Sequence, residues 1–306
     1  MIRTSGLRKS FATFEALKGI DLHVREGDIY GFIGPNGAGK TTTIRVLTTL
    51  LEPSAGEAWV NGFRCADQKE QVRASIGYLP DNFGVYRDMT VNEYLHFFAA
   101  TYGIAQTARG PLVKGLLELT DLDQKRDSLI ESLSRGMQQR LGVARTLVHD
   151  PKVLILDEPA SGLDPRARIE IREILRELQR MGKTILLSSH ILPELQEMCN
   201  RIGILERGTL VAEGTITEIM AQVADAVQLE LRTTDDPRAA VVLAELPGVT
   251  KVAPEDGQLV INLADGLDPG VISEHLGSRG IWLRHLHRKA QTLEQVFMRL
   301  TAGLVQ

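Results

Sequence analysis

Residues 34–42 read GPNGAGKTT and follow a short apolar run, IYGFI. Gly34, Gly37 and Gly39 let the backbone turn where a Cβ would clash. The stretch Gly34, Pro35, Asn36, Gly37, Ala38, Gly39 can therefore wrap one anion in inward-facing N–H groups. Lys40 follows, placed to reach the β- and γ-phosphates of a nucleotide. A helix opening near Thr41 and Thr42 adds the positive end of its dipole, and the Thr41 hydroxyl can ligate magnesium. This is the P-loop spacing. A dinucleotide loop is not expected, because GxGxxG spaces its glycines differently and needs no lysine.

Two adjacent acids, Asp157 and Glu158, end a second apolar run in VLILDEP at 153–159. Alternation at a strand end is expected to turn them to different sides. Asp157 is read as a magnesium ligand, direct or through water, and Glu158 as the group that orients and polarises the attacking water. Upstream, LSRGMQQR at 133–140 sets Ser134 and Gly136 at the start of a helix expected from Met137 onward. Small residues at a helix N-terminus suit a second anion.

The elements that must carry these groups follow from periodicity. Strand-like GIDLHV, DIYGFIG and GEAWVNG alternate with glycine-marked turns in the first sixty residues. Ile44, Leu47 and Leu51 recur at helical spacing after the P-loop. A helical stretch is expected from Asn92 to about Leu122, interrupted at Gly110-Pro111. From Pro151 the pattern is strand, helix (about Pro165 to Met181), strand TILLSSH, helix ILPELQEMCN, and a hairpin turning at Arg207-Gly208. Buried strands alternating with helices predict a mainly parallel sheet with helices on both faces. Beyond about residues 221–226 the order becomes βαββαβ plus a final helix, the ferredoxin-like arrangement. Two domains are expected, 1–222 and 223–306, with a helical subdomain at about 86–150 in the first.

At 306 residues, 43% hydrophobic and 24% charged, the chain has the composition of a globular protein. A net charge of −4 supplies no basic field for nucleic acid. Runs such as VLIL and TILL fall far short of the roughly 18 residues of a membrane span. The opening residues carry no charged and apolar leader pattern, so a cleaved signal is not expected and a cytoplasmic setting is. Cys65 and Cys199, without CxxC or histidine neighbours, read as packing residues.

Together and in order, these motifs resemble those of the ATP-binding subunits of ABC transporters over about residues 2–220. In that family LSGGQ from one subunit caps the γ-phosphate held by the P-loop of the other. LSRGMQQ departs at Arg135 and Met137 but keeps Ser134 and Gly136. The resemblance thus implies a head-to-tail homodimer, or a pseudo-dimer with a similar ATPase, binding ATP and Mg²⁺. It also implies that SGLD at 161–164 lines the dimer seam through Asp164, and that His190, ending TILLSSH, contacts the γ-phosphate. Phe11 lies where the family stacks an aromatic on adenine, a contact of about 1 kcal/mol. Phe14 competes for that role, and one of the two is expected in the core. Where the family usually has glutamine, IGYLPDNFG has Asp81. That acid is read either as part of the magnesium shell or, preferably, as a relay to the membrane subunit.

The C-terminal part, with VFMRLTAG near its end, resembles the small domain of ABC-2-type exporter ATPases such as those of drug efflux, gliding motility and copper-site maturation. An exporter's ATPase at the cytoplasmic face of the membrane is therefore expected. A separate transmembrane permease would dock near residues 79–100, with Tyr86 and Met89 as contacts. No nucleic acid and no direct contact with the transported substance are expected. The alternatives are an importer's ATPase and a soluble ABC ATPase.

Overall fold

The computed structural model describes residues 1–221, 227–255, 257–264, 267–288 and 293–302. The chain forms two compact units, Met1–Ile216 and Thr217–Gln306. The boundary read at 222/223 and the final glycine of VFMRLTAG lie outside the described residues.

The first unit opens with β1 (Ile2–Phe11), β2 (Phe14–Ile20), β3 (His23–Val24) and β4 (Ile29–Ile33), then α1 (Lys40–Leu47). Next come β5 (Ala55–Val60), β6 (Phe63–Arg64), α2 (Lys69–Ser75) and β7 (Ile76–Leu79). The helices α3 (Val91–Thr101), α4 (Gln106–Leu119) and α5 (Arg135–Leu147) follow. The unit continues with β8 (Val153–Leu156), α6 (Pro165–Arg180), β9 (Thr184–Ser189), α7 (Leu192–Met198), β10 (Arg201–Glu206) and β11 (Thr209–Thr215); α8 (Ile216–Ala221) comes after them.

Six strands form one sheet in the order β11-β10-β4-β9-β8-β7, parallel except for the β10–β11 hairpin. That hairpin turns at Arg207 (φ 47°) and Gly208 (φ 82°), the paired left-handed residues of a tight two-residue turn. A separate antiparallel sheet runs β2-β1-β5-β6, with β3 beside β1. Tyr30 and Phe32 of β4 join Ile44 and Leu47 of α1 in one core with residues of both sheets. On the opposite face, a Cβ at Gly31 would meet Leu195 of α7 and Cys199 just beyond it. Burying Ile44 and Leu47 completely contributes about 2 kcal/mol each to seating α1 behind the P-loop. This is the α/β, mainly parallel architecture expected, and the N-terminal strands form an antiparallel sheet of their own.

Two helix boundaries differ from expectation. α1 stops at Leu47, because Thr48 Oγ1 bonds back to the Ile44 carbonyl and Thr49 takes φ 59°. Leu51 lies past the helix and reaches the same core from the following loop. The helical stretch does not break at Gly110-Pro111. It breaks after Tyr102, where Gly103 at φ 73° lets Ile104 N–H bond to the Ala99 carbonyl and Gly103 N–H to that of Ala100. Pro111 then sits inside α4 at the cost of the one backbone bond its missing N–H would have made.

The second unit contains β12 (Val227–Thr233), α9 (Asp236–Ala244), β13 (Val249–Glu255), β14 (Gln258–Leu263), α10 (Gly270–Gly277), β15 (Leu283–Arg288) and α11 (Leu293–Ala302). Its sheet order is β13-β14-β12-β15 with antiparallel neighbours, the ferredoxin-like order. Leu231 and Ile261 of the sheet pack with Leu243 and Ile272 of the helices.

Cys65 and Cys199 are both buried free thiols. Burial pushes the Cys65 thiol up to about 12 and that of Cys199 higher still. Among the described residues no helix is long and apolar enough to cross a membrane.

Candidate functional site

The P-loop joins the C-terminal end of β4 to α1, where the sheet's parallel strands also deliver Glu158 and His190. Gly39 takes φ 111°, so the chain turns into α1 in a conformation that side-chain-bearing residues rarely adopt. At Gly34 a Cβ would run into the Leu205 carbonyl, so the loop can lie this close to β10 only with glycine there. Lys40 is 6% exposed and opens α1. Its Nζ donates to the carbonyls of Gly34 at 2.6 Å and Pro35 at 3.4 Å, which holds the ammonium against the loop.

Both acids lie just past the end of β8. Asp157 is 2% exposed, donates its N–H to the Leu79 carbonyl of β7, and accepts from Ser188 Oγ at 2.6 Å. Glu158 does not get its direction from strand alternation, as expected; it has left the strand and sits at φ 52°. A left-handed conformation at glutamate costs about 1–3 kcal/mol and persists only where neighbours fix it. They do so here. The Glu158 N–H donates to Ser188 Oγ at 2.9 Å, Oε1 lies 3.5 Å from Lys40 Nζ, and Oε2 lies 2.8 Å from His190 Nδ1. Ser188 thus ties both acids to β9 while His190, one residue past that strand, ties Glu158 from the other side. Sequence reasoning missed Ser188; the available signal was the Ser-Ser pair before His190 in TILLSSH.

Lys40, Glu158 and His190 line a cleft of about 420 Å³ together with Pro35, Asn36, Gly37, Gly39, Thr41, Thr42 and Asp81, while Asp157 and Ser188 lie outside its lining. Ser161, the first residue of SGLD, lines it too. Gly34 and Ala38 belong to the loop without facing the cleft, and Ala38 is buried. Phe11 and Phe14 pair across the β1–β2 hairpin, and both line the cleft. The expectation that one would be core is wrong: they are 46% and 62% exposed, because the hairpin ends in solvent and lifts both rings clear of the sheet. Lys9 Nζ stands 5.1 Å from the centre of the Phe11 ring.

Asp81 also faces the cleft, with Oδ2 accepting from Asn82 Nδ2 at 3.2 Å. Its carboxyl is pushed up, first by burial and then by the charges of Asp157 and Glu158, against the opposing pull of Arg135 and His190. Ser134, Gly136 and Asp164 stand outside the cleft lining of the single chain. Ser134 caps α5, which begins at Arg135 rather than Met137, and its Oγ accepts from Met137 N–H at 3.2 Å. Gly136 packs so tightly on α6 that a Cβ would stand 2.7 Å from that of Ala167. Asp164 caps α6 by accepting from Ala167 N–H at 2.9 Å. The Arg135 guanidinium covers Gly162 of SGLD, so its substitution into the signature sequence joins α5 to that turn.

A P-loop at the C-terminal end of an interior parallel strand, a clamped glutamate and a capped second helix define an ATP-hydrolysing cassette. The ABC transporter family matches residues 17–161, and the C-terminal domain of DrrA1-3-like ATP-binding proteins matches 214–301. The chain is 37% identical over 300 residues to the Nod factor export ATP-binding protein I of Paraburkholderia xenovorans, covering 98% of this chain and 96% of the relative. It is 35% identical over 303 residues to the daunorubicin resistance ATP-binding protein DrrA3 of Streptomyces coeruleorubidus, covering 98% and 95%. A solved ATP-binding subunit of an ABC transporter superposes with a TM-score of 0.66 at 32% identity, covering 72% of this chain and 92% of that one. The chain belongs to the ATP-binding subunits of ABC transporters, and it is an ATPase.

Proposed function

We propose that the chain is the energy-coupling subunit of an ABC-2-type exporter, hydrolysing ATP as a head-to-tail dimer beneath a separate membrane subunit. The observation that carries the reading is the clamp on Glu158, a carboxylate fixed by its backbone, Ser188, Lys40 and His190 beside the P-loop. Such a carboxylate is built to hold a water in line with the γ-phosphate and take its proton. Lys40 then gives up its contacts to the loop carbonyls for the β/γ oxygens, and His190 contacts the γ-phosphate while holding Glu158. Phe11, at the hairpin tip, stacks on adenine.

The donor set fits magnesium. Thr41 offers a hydroxyl and Asp157 a carboxylate, the hard oxygen ligands the ion prefers beside phosphate and water. Asp157 is deeply buried, and among the described residues it makes no ion pair, so a bound cation would supply its counter-charge. When bound, the ion neutralises phosphate charge.

Ser134 and Gly136 stand away from their own chain's cleft, which agrees with their serving the nucleotide of a second copy, with Asp164 at the seam between them. Asp81 relays nucleotide state to the membrane partner, since Thr41 and Asp157 already supply metal ligands and Glu158 a base. Asp81→Ala and Asp81→Gln should both hydrolyse ATP within about tenfold of wild type, a barrier change near 1.4 kcal/mol or less. Only Gln should partly restore coupled transport. Steady-state ATPase of the purified variants checks this, and an Asp81→Ala loss as deep as that of Glu158→Gln would make Asp81 catalytic.

Export is favoured by relatives whose similarity runs through both units, the C-terminal one included. The membrane subunit docks at residues 79–100 on the cytoplasmic face. Tyr86 is 54% exposed there and meets Phe97 edge-on with ring centres 5.5 Å apart, an aromatic surface suited to an apolar partner helix. Tyr86→Asp should shift the chain from the membrane to the soluble fraction of its native cells. ATP hydrolysis by the isolated variant should stay within about twofold of wild type. Undiminished membrane recovery of Tyr86→Asp would refute this docking surface.

A further inference from the structure

Arg168 and Glu194 have no part in the chemistry described so far, yet they join two segments that border the cleft. Arg168, in the first turns of α6, donates Nε to the Leu163 carbonyl of SGLD at 3.0 Å. Its Nη1 stands 3.1 Å from Glu194 Oε1 on α7, an ion contact without hydrogen-bond alignment. Glu194 is 9% exposed at its side chain, and its Oε2 accepts from Ser189 Oγ at 3.5 Å. Ser189 Oγ also accepts from Ile191 N–H at 3.0 Å. His190 lies between the two residues so engaged, and its Nδ1 meets Glu158. A continuous set of contacts therefore runs from the SGLD backbone through Arg168, Glu194 and Ser189 to the residue holding the Glu158 carboxylate.

An ion pair with Glu194 buried but the Arg168 side chain 39% exposed is weak evidence for stability, since water screens its open side. Its geometry is better explained by position. Burial, with a smaller push from Glu158, holds the Glu194 carboxyl above its ordinary range against the pull of Arg168, His190 and Ser189. One short loop leads from Ser189 to Ile191, so its backbone direction sets where the imidazole of His190 points.

We propose that Arg168 and Glu194 are positioning residues that lock the SGLD segment to the His190 loop, so that His190 is presented to Glu158 only when SGLD is in place. The proposal rests on the assignment of Glu158 and His190 made above. It also gives the dimer seam a physical route to the hydrolytic carboxylate within one chain.

The test is steady-state hydrolysis and calorimetric ATP binding for wild type, Glu158→Gln, Glu194→Gln, Arg168→Ala, Arg168→Lys and the double variant Arg168→Ala/Glu194→Gln. Glu194→Gln keeps shape and removes charge, and Arg168→Lys keeps charge, so these two decide the matter should Arg168→Ala fail to fold. Expected are a fall in kcat of about tenfold for Glu194→Gln and Arg168→Ala, and a smaller fall for Arg168→Lys. ATP affinity should stay within about twofold throughout. The double variant should be no worse than the poorer single one, because partners in one contact are not additive. A Glu194→Gln variant with wild-type kcat, losses that multiply in the double variant, or a loss confined to ATP affinity would overturn the proposal. Wild type and Glu158→Gln hydrolysing alike would instead overturn the assignment of Glu158 on which it rests.

Discussion

Lys40→Ala should leave a folded protein that binds ATP weakly and does not turn it over. The ammonium is held by the carbonyls of Gly34 and Pro35 and stands 3.5 Å from Glu158. It is thus already aimed where β/γ charge would lie, and little reorganisation is needed when phosphate replaces those carbonyls. Alanine removes the main cation of the P-loop and leaves Glu158 without its counter-charge. Loss of one such preorganised donor costs at least about 10²-fold in rate. Phosphate release by the purified variant reads the effect, and turnover near wild type would refute the assignment of the loop.

Glu158→Gln should separate binding from chemistry. Glutamine fits the space and can still meet His190 and Lys40 through its amide, but it takes no proton from water. ATP affinity should therefore hold while kcat falls by about 10²–10⁴. Normal hydrolysis by this variant would mean that another group activates the water, and the clamp seen around Glu158 would need a different purpose.

The P-loop is legible in the sequence because its chemistry is local: glycines, lysine and threonine at fixed offsets act within one turn. The signature helix and the C-terminal unit are legible for similar reasons, since capping residues and period-two or helical patterns report short-range structure. What escapes is set by contacts distant in sequence. Nothing near Glu158 announces that Ser188 of β9 holds its N–H or that its backbone is left-handed. Gly34 is required by the Leu205 carbonyl, on a strand reached only much later in the chain. The helix through Pro111 misleads for a different reason. A proline costs one backbone bond, and the neighbouring Gly103 offers a better place to stop. For Phe11 and Phe14, apolar character points inward, but a hairpin tip beyond the sheet has no interior to offer them.

Ser134, Gly136 and Asp164 have meaning in this account only if a second copy brings them to the nucleotide. Light scattering on Glu158→Gln with and without ATP tests that most directly, because slow hydrolysis keeps the assembled state populated. With ATP the variant should show twice the 33.7 kDa mass of the chain, and without it the single mass. A variant that binds ATP at saturation and still scatters as a single chain would contradict the shared site.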